Sequence, residues 1–180
     1  MKQALVLGAG SWGTAMADYL ARQGLLVHLW VREDALREEM MSQRENTTFL
    51  PGIPLHEAVR PTACWQEHLE QTDLLFTAVP SQFIRPFFRG LAHTEYAGPI
   101  INLSKGFEAS STLTLSQVAR AEMGDAIMDR WATLSGPSFA RELALGHPTA
   151  VVLAGTSEAM LTPVQERLSS ATLRLYRSED

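Results

Sequence analysis

The sequence predicts an α/β fold, a doubly wound and mostly parallel sheet with helices on both faces. Three observations predict it. Strand and helix patterns alternate from one end of the chain to the other. Continuous apolar runs such as Leu74-Leu75-Phe76 and Ala150-Val151-Val152-Leu153 suit strands covered on both sides. Gly8, Gly10 and Gly13 punctuate the first strand-to-helix turn. Right-handed crossovers then place ligands at the carboxyl ends of the strands.

The elements follow in order. Residues 3–7 read as the first strand and 12–22 as a helix that stops at Gly24, a suitable C′ residue. Residues 25–30 form the second strand and 33–44 the second helix. Residues 46–54, with Pro51-Gly52 and Pro54, are a loop. Strands at 59–62 and 74–79 flank a short helix at 65–69. Pro80 and Ser81 suit the start of a helix over 82–92, with Ser81 as its cap. Strands at 99–103, 131–135, 149–153 and 173–176 alternate with helices at 114–123, 139–145 and 157–169. Ser138 is placed to cap the helix at 139–145.

Composition narrows the function classes. A chain of 180 residues, 46% hydrophobic and 19% charged, is a globular protein of one core, so residues 1–180 are expected to form one domain. The formal charge of −5, with no basic block, argues against nucleic acid as a partner. No apolar run reaches the length of a membrane span, and Met1-Lys2-Gln3 enters a strand with no leader pattern. The single cysteine, Cys64, suits a reducing cytoplasm and reads as a small buried hydrophobe. The five histidines show no ligand spacing, so no metal is expected, and no G-x-S-x-G elbow is present. The chain stops just after a strand with no closing helix, which reads as an interruption.

The glycine run carries the first chemistry. In Leu7-Gly8-Ala9-Gly10-Ser11-Trp12-Gly13, Gly8 turns the chain out of the strand, and Gly10 lets a pyrophosphate approach the backbone. Gly13 lets the helix lie close to the sheet. The helix start supplies free N–H groups and partial positive charge. An NAD-preferring fold ends its second strand on an acid that holds the ribose 2′-hydroxyl. This chain has Arg32 there, with Glu33 and Asp34 one step later. A guanidinium can pair with a 2′-phosphate or stack on adenine, so Arg32 favours NADP or indifference between the two cofactors. Two other readings stay open: Glu33 holds the ribose, or Glu33-Asp34 cap the next helix.

Three further loops fall at strand ends. In Val79-Pro80-Ser81-Gln82-Phe83, Phe83 either walls a nicotinamide site or lies in the core. Lys105, in Asn102-Leu103-Ser104-Lys105-Gly106-Phe107, is one of two lysines against thirteen arginines. At the mouth of a sheet its ammonium can hold a phosphate or polarise a substrate oxygen. The bland alternative is a solvated lysine on a turn. In Leu134-Ser135-Gly136-Pro137-Ser138, Gly136 permits close backbone approach, and the helix start behind Ser138 offers N–H groups to an oxygen-rich substrate.

Taken together, GAGSWGTAMA, the WVR after the second strand, NTTFLPG, AVPSQF, NLSKGFE and LSGPSFARELALGHPTAVVLA closely resemble the bacterial NAD(P)-dependent glycerol-3-phosphate dehydrogenases. The match runs over the whole chain, and SKGFE and SGPSFARE are its most specific parts. The resemblance implies a Rossmann-type NAD(P)-binding domain of a cytoplasmic enzyme. That enzyme reduces dihydroxyacetone phosphate to sn-glycerol 3-phosphate, the backbone precursor of phospholipids. By the same resemblance, Ser11, Trp12, Arg32, Lys105 and Ala140 match cofactor contacts, and Phe83 a cofactor-side aromatic. Lys105, Gly136 and Ser138 match substrate contacts. The family's proton-transferring lysine and its phosphate grip belong to a helical second domain beyond Asp180, so no catalytic base is expected in this chain. A homodimer is compatible with the resemblance. Two other readings remain: a non-catalytic dinucleotide-binding module, and a related hydroxyacid or ketopantoate-type reductase.

Overall fold

A computed structural model describes residues 1–179. Its strands are β1 (Gln3–Leu7), β2 (Leu26–Trp30), β3 (Val59–Thr62), β4 (Leu74–Thr77), β5 (Ile100–Asn102), β6 (Trp131–Ser135), β7 (Thr149–Ala154) and β8 (Leu173–Ser178). Its α-helices are α1 (Ser11–Arg22), α2 (Asp34–Gln43), α3 (Ile84–Ala92), α4 (Leu115–Met123), α5 (Ala140–Ala144) and α6 (Glu158–Leu168). One eight-stranded sheet runs β3-β2-β1-β4-β5-β6-β7-β8. The first six strands are parallel in the order of a dinucleotide-binding fold.

Alternation along β1 shows why the sheet is wound on both sides. Ala4 and Val6 join one core, with Met16, Leu20 and Val164, while Leu5 and Leu7 join another, with Phe88, Val118 and Trp131. Every one of these side chains is buried, so a strand this apolar is stable only between two helix layers. Phe88 and Trp131 meet edge to face at 5.4 Å in the second core.

The sheet departs from parallel at one place. β7 runs antiparallel to β6, and β8 is parallel to β7. Residues 136–148 between β6 and β7 hold only the five-residue α5, too little helix to carry the chain back across the sheet. The carboxyl edge that can hold a ligand is therefore made by β1 to β6 alone.

Several local expectations need correction. Residues 65–71 form a 3-10 turn over Gln66–Gln71 rather than an α-helix. The segment behind Pro80 is a 3-10 turn, Ser81–Phe83, leading into α3, and Ser81 does not cap it. Ser138 does not cap α5 either: its N-cap is Phe139, without a side-chain bond, and Ser138 N–H closes a turn onto Gly136 O at 3.0 Å. The side-chain cap that does form is Thr114, which with Gln117 makes a capping box on α4. Cys64 is half-buried, with Sγ 3.4 Å from Gln66 Oε1, and is no core residue. His28 and His68 stack at 3.7 Å. Burial first, and then the neighbouring His68 and Arg60, push the His28 pKa down. Among the described residues no helix is long and apolar enough to cross a membrane.

Candidate functional site

The carboxyl end of β1 opens where the connections change direction, between β1 and β4. Leu7 O accepts Ala78 N–H at 2.8 Å, holding the two strand ends together. Gly8 then takes φ +112°, and a Cβ there would sit 2.7 Å from Ala78 O. No L side chain fits that position. A Cβ on Gly13 would lie 2.0 Å from Gly8 O and 3.0 Å from Ala78 Cβ. Gly13 is what lets α1 start against the strand ends. Gly10 differs from both: its Cβ position meets nothing within 4 Å. The fold does not require glycine at position 10, and the space beside it is open.

α1 begins at that space. Its N-cap, Gly10, has no side chain to bond the first amides, and its first turn carries no acidic residue. The positive end of the helix is left uncompensated, as an anion site requires. The cleft in front of it has a volume of about 270 Å³. Its floor is Gly8, Ala9 and Gly10, with Ala78, Val79 and Pro80 on the β4 side. Trp30, Phe49, Phe83 and Phe87 make apolar walls, and Arg32 and Glu33 stand at one end.

Of the predicted residues, Gly8, Gly10, Arg32 and Phe83 line this cleft and Lys105 lines a second one, whereas Ser11, Trp12, Gly13, Gly136, Ser138 and Ala140 line neither. Ser11 is exposed at the first position of α1, and Trp12 is half-buried against the core. Phe83 is 55% exposed on the cleft wall, which removes the reading of it as a core residue. Arg32 pairs with Glu33, so the acid and the base at the end of β2 are both present at the cleft. Glu33 takes the N-cap position of α2 without capping it through its side chain, because that side chain is held by Arg32. Ala140 opens α5 and packs against the core on the side of α1.

Lys105 lies in the second cleft, about 290 Å³, with Asn102, Ser104, Ser116, Thr133 and Ser135 around it. Its Nζ donates to Gly136 O at 3.3 Å, which brings the loops after β5 and β6 together. Gly136 has a packing reason of its own: a Cβ there would be 3.0 Å from Ala150 O and 3.1 Å from Val151 Cα. Close packing against β7 favours glycine there, whatever else binds nearby. The two clefts have no lining residue in common but are linked by one hydrogen bond. Ser104 Oγ donates to Val79 O at 2.5 Å, tying the Lys105 loop to the β4 loop.

Residues without an expected role of their own, some of them inside the quoted segments, hold this geometry. Asn102, buried at the end of β5, accepts from Thr77 Oγ1 at 3.1 Å and from Ser104 N–H at 3.2 Å. Glu108, buried behind Lys105, takes Arg85 through two bonds of 2.7 and 2.5 Å and Ser111 Oγ at 2.5 Å. Arg85 also bonds Glu122 at 2.6 Å, so the loop is anchored to α3 and α4 together. The Arg85 guanidinium and then the Ser111 hydroxyl hold the Glu108 carboxyl down at about 2. Asn46, fully buried, bonds the glycine loop itself. Isolated asparagine and glutamate residues carry no periodicity, so only contact reveals what they hold. Among the described residues no group of three His, Cys, Asp or Glu is arranged to hold a metal ion.

The family profile described as NAD-dependent glycerol-3-phosphate dehydrogenase N-terminus matches residues 3–161. The chain belongs to this family. A glycerol-3-phosphate dehydrogenase [NAD(P)+] of Geobacter sulfurreducens is 42% identical over 176 residues, which cover 97% of this chain and 52% of that protein. The chain thus spans about half the length of the curated relatives it matches. Among solved structures, the glycerol-3-phosphate dehydrogenase of Coxiella burnetii superposes with a TM-score of 0.90 at 32% identity. It is covered over 54% of its chain by 99% of this one. The yeast enzyme, at 23% identity and a TM-score of 0.82, shares the fold. The resemblance carried by the SKGFE and SGPSFARE segments therefore holds for the family, and the α/β sheet with its glycine turn is the family's N-terminal domain.

Proposed function

We propose that the cleft between β1 and β4 binds NAD or NADP, with the pyrophosphate over Gly10 and the first turn of α1. The open space at the Gly10 Cβ position carries this reading, because the fold has no need of a glycine there. Gly8 and Gly13 shape the turn, and Ser11 and Trp12, the first two residues of α1, supply first-turn amides that have no partner inside the helix. Arg32 takes a 2′-phosphate, favouring NADPH, while Glu33 can accept a free ribose 2′-hydroxyl. Phe83 walls the nicotinamide side, and Lys105 and Ala140 complete the cofactor contacts. When bound, the nicotinamide supplies or accepts a hydride.

In the full-length protein the reaction is the reduction of dihydroxyacetone phosphate to sn-glycerol 3-phosphate. Lys105 stabilises charge on the substrate oxygen, near Gly136 and Ser138, and the Lys105–Gly136 contact supports that grouping. The proton-transferring base and the phosphate grip are assigned to the half of the relatives that this chain does not span. A cytoplasmic homodimer making phospholipid precursor is the setting that fits the family.

Titration calorimetry of this chain with NADPH and NADH tests the cofactor reading, and absence of heat from both would sink it. An absorbance assay at high protein concentration with dihydroxyacetone phosphate should show no turnover, since acid–base help is worth about a hundredfold or more. Turnover that vanishes in Lys105→Ala would instead show that this half carries its own catalytic group.

A further inference from the structure

Asn46 sits in the loop between α2 and β3, far in sequence from the glycine turn, and is fully buried. Its Nδ2 donates to Ala9 O at 2.9 Å and to Thr14 Oγ1 at 2.8 Å. Thr14, also fully buried, donates its hydroxyl to the same Ala9 O at 3.3 Å. The Asn46 Oδ1 accepts Phe49 N–H at 3.0 Å. A buried primary amide with both donors and its acceptor used is held in one orientation.

We infer that Asn46 and Thr14 form a peptide clamp, positioning residues that aim the Gly10 amide into the cleft. The Ala9–Gly10 peptide is planar and trans, so its C=O and N–H point in opposite directions. Two buried side chains hold the Ala9 carbonyl inward. The Gly10 N–H is thereby turned away from that pair, to the side on which Gly8, Ala9 and Gly10 line the cleft. A donor fixed in advance toward an anion loses no orientational freedom when the anion arrives. The same asparagine sets a cleft wall, because its bond to Phe49 N–H holds the loop that presents the Phe49 ring, 46% exposed, to the cleft.

This inference rests on the cofactor reading above and assigns the pyrophosphate its donor. Asn46→Asp keeps the shape and the acceptor for Phe49 N–H but replaces both donors with lone pairs facing Ala9 O. Its dissociation constants for NADH and NADPH should both rise about tenfold and by the same factor, since the pyrophosphate is common to the two. In proton–nitrogen correlation spectra, the Gly10 amide should shift on NADPH addition in wild type and shift much less in the variant. A folded Asn46→Asp that binds both cofactors like wild type, even with a lowered Tm, would leave Asn46 a loop stabiliser and overturn the clamp. A loss confined to NADPH would also overturn it, pointing to Arg32 instead. If Asn46→Asp does not fold, Thr14→Val decides: it removes one of the two bonds on Ala9 O, and an affinity loss of about threefold is expected. Unchanged affinity in Thr14→Val then sinks the clamp. Wild type that binds neither dinucleotide overturns the cofactor reading itself, a failure distinct from wild-type binding with no loss in the variants.

Discussion

Arg32 holds Glu33 Oε1 through both Nε and Nη2, at 2.8 and 2.7 Å, so the group suited to a 2′-phosphate is occupied by the group suited to a 2′-hydroxyl. Each is the other's competitor. Both side chains are exposed, and the pair contributes little to stability.

Cofactor choice follows from that pairing. Arg32→Ala should weaken NADPH binding roughly tenfold, in line with about 1–2 kcal/mol for a charge-assisted bond, and affect NADH less. Glu33→Gln frees the guanidinium and should tighten NADPH while weakening NADH. Calorimetric titration of both cofactors checks the two variants. Equal losses for Arg32→Ala would mean that Arg32 only stacks on adenine.

The glycines separate folding from binding. Gly10 has φ −67° and ψ 178°, extended backbone that valine adopts readily, and open space at its Cβ position. Gly10→Val should therefore keep the wild-type circular dichroism spectrum and Tm but lose the thermal protection that NADPH confers. Gly13→Ala should do the reverse of the first part. Its methyl would meet Gly8 O at 2.0 Å, so the apo protein should lose about 1–3 kcal/mol of stability.

Acid should act on the loop behind Lys105. The Glu108 carboxyl titrates at about 2 in the fold, held there by Arg85, against about 4.3 in an unfolded chain. A depressed carboxylate contributes stability that is complete above about pH 4.3 and is lost as pH falls toward 2. Glu108→Gln should lower the Tm at pH 7 and flatten its decline below pH 4.3. An unchanged acid limb would show that the Arg85 pairing is not what sets it.

A second pH limb lies higher. Burial beside His68 pushes the His28 pKa down, so in the fold the imidazole takes up its proton at lower pH than in the unfolded chain, where it does so near pH 6.5. Stability should be full above that pH and decline as pH drops below it. Between pH 7 and 5 the Tm of wild type should fall, and that of His28→Gln should fall less. Parallel profiles would assign the limb elsewhere.

The fold class, most of the elements and the glycine turn are legible along the chain, because each rests on local signals. Apolar runs in β1 and β4, the helix stop at Gly24 and the G-x-G-x-x-G spacing are set within a few residues of one another. The sequence also carried the family, through segments such as SKGFE whose match needs no coordinates. Tertiary structure decided what depends on distance in space. It set β7 antiparallel, where α5 was too short to cross the sheet, and it put Phe83 on a wall rather than in the core. It made Gly136 a packing residue for β7, and it joined Arg32 to Glu33. Above all it recruited Asn46 from thirty-seven positions away to the Ala9 carbonyl. A buried polar side chain is selected by the unpaired backbone group it meets, and that group is named only when the chain has folded.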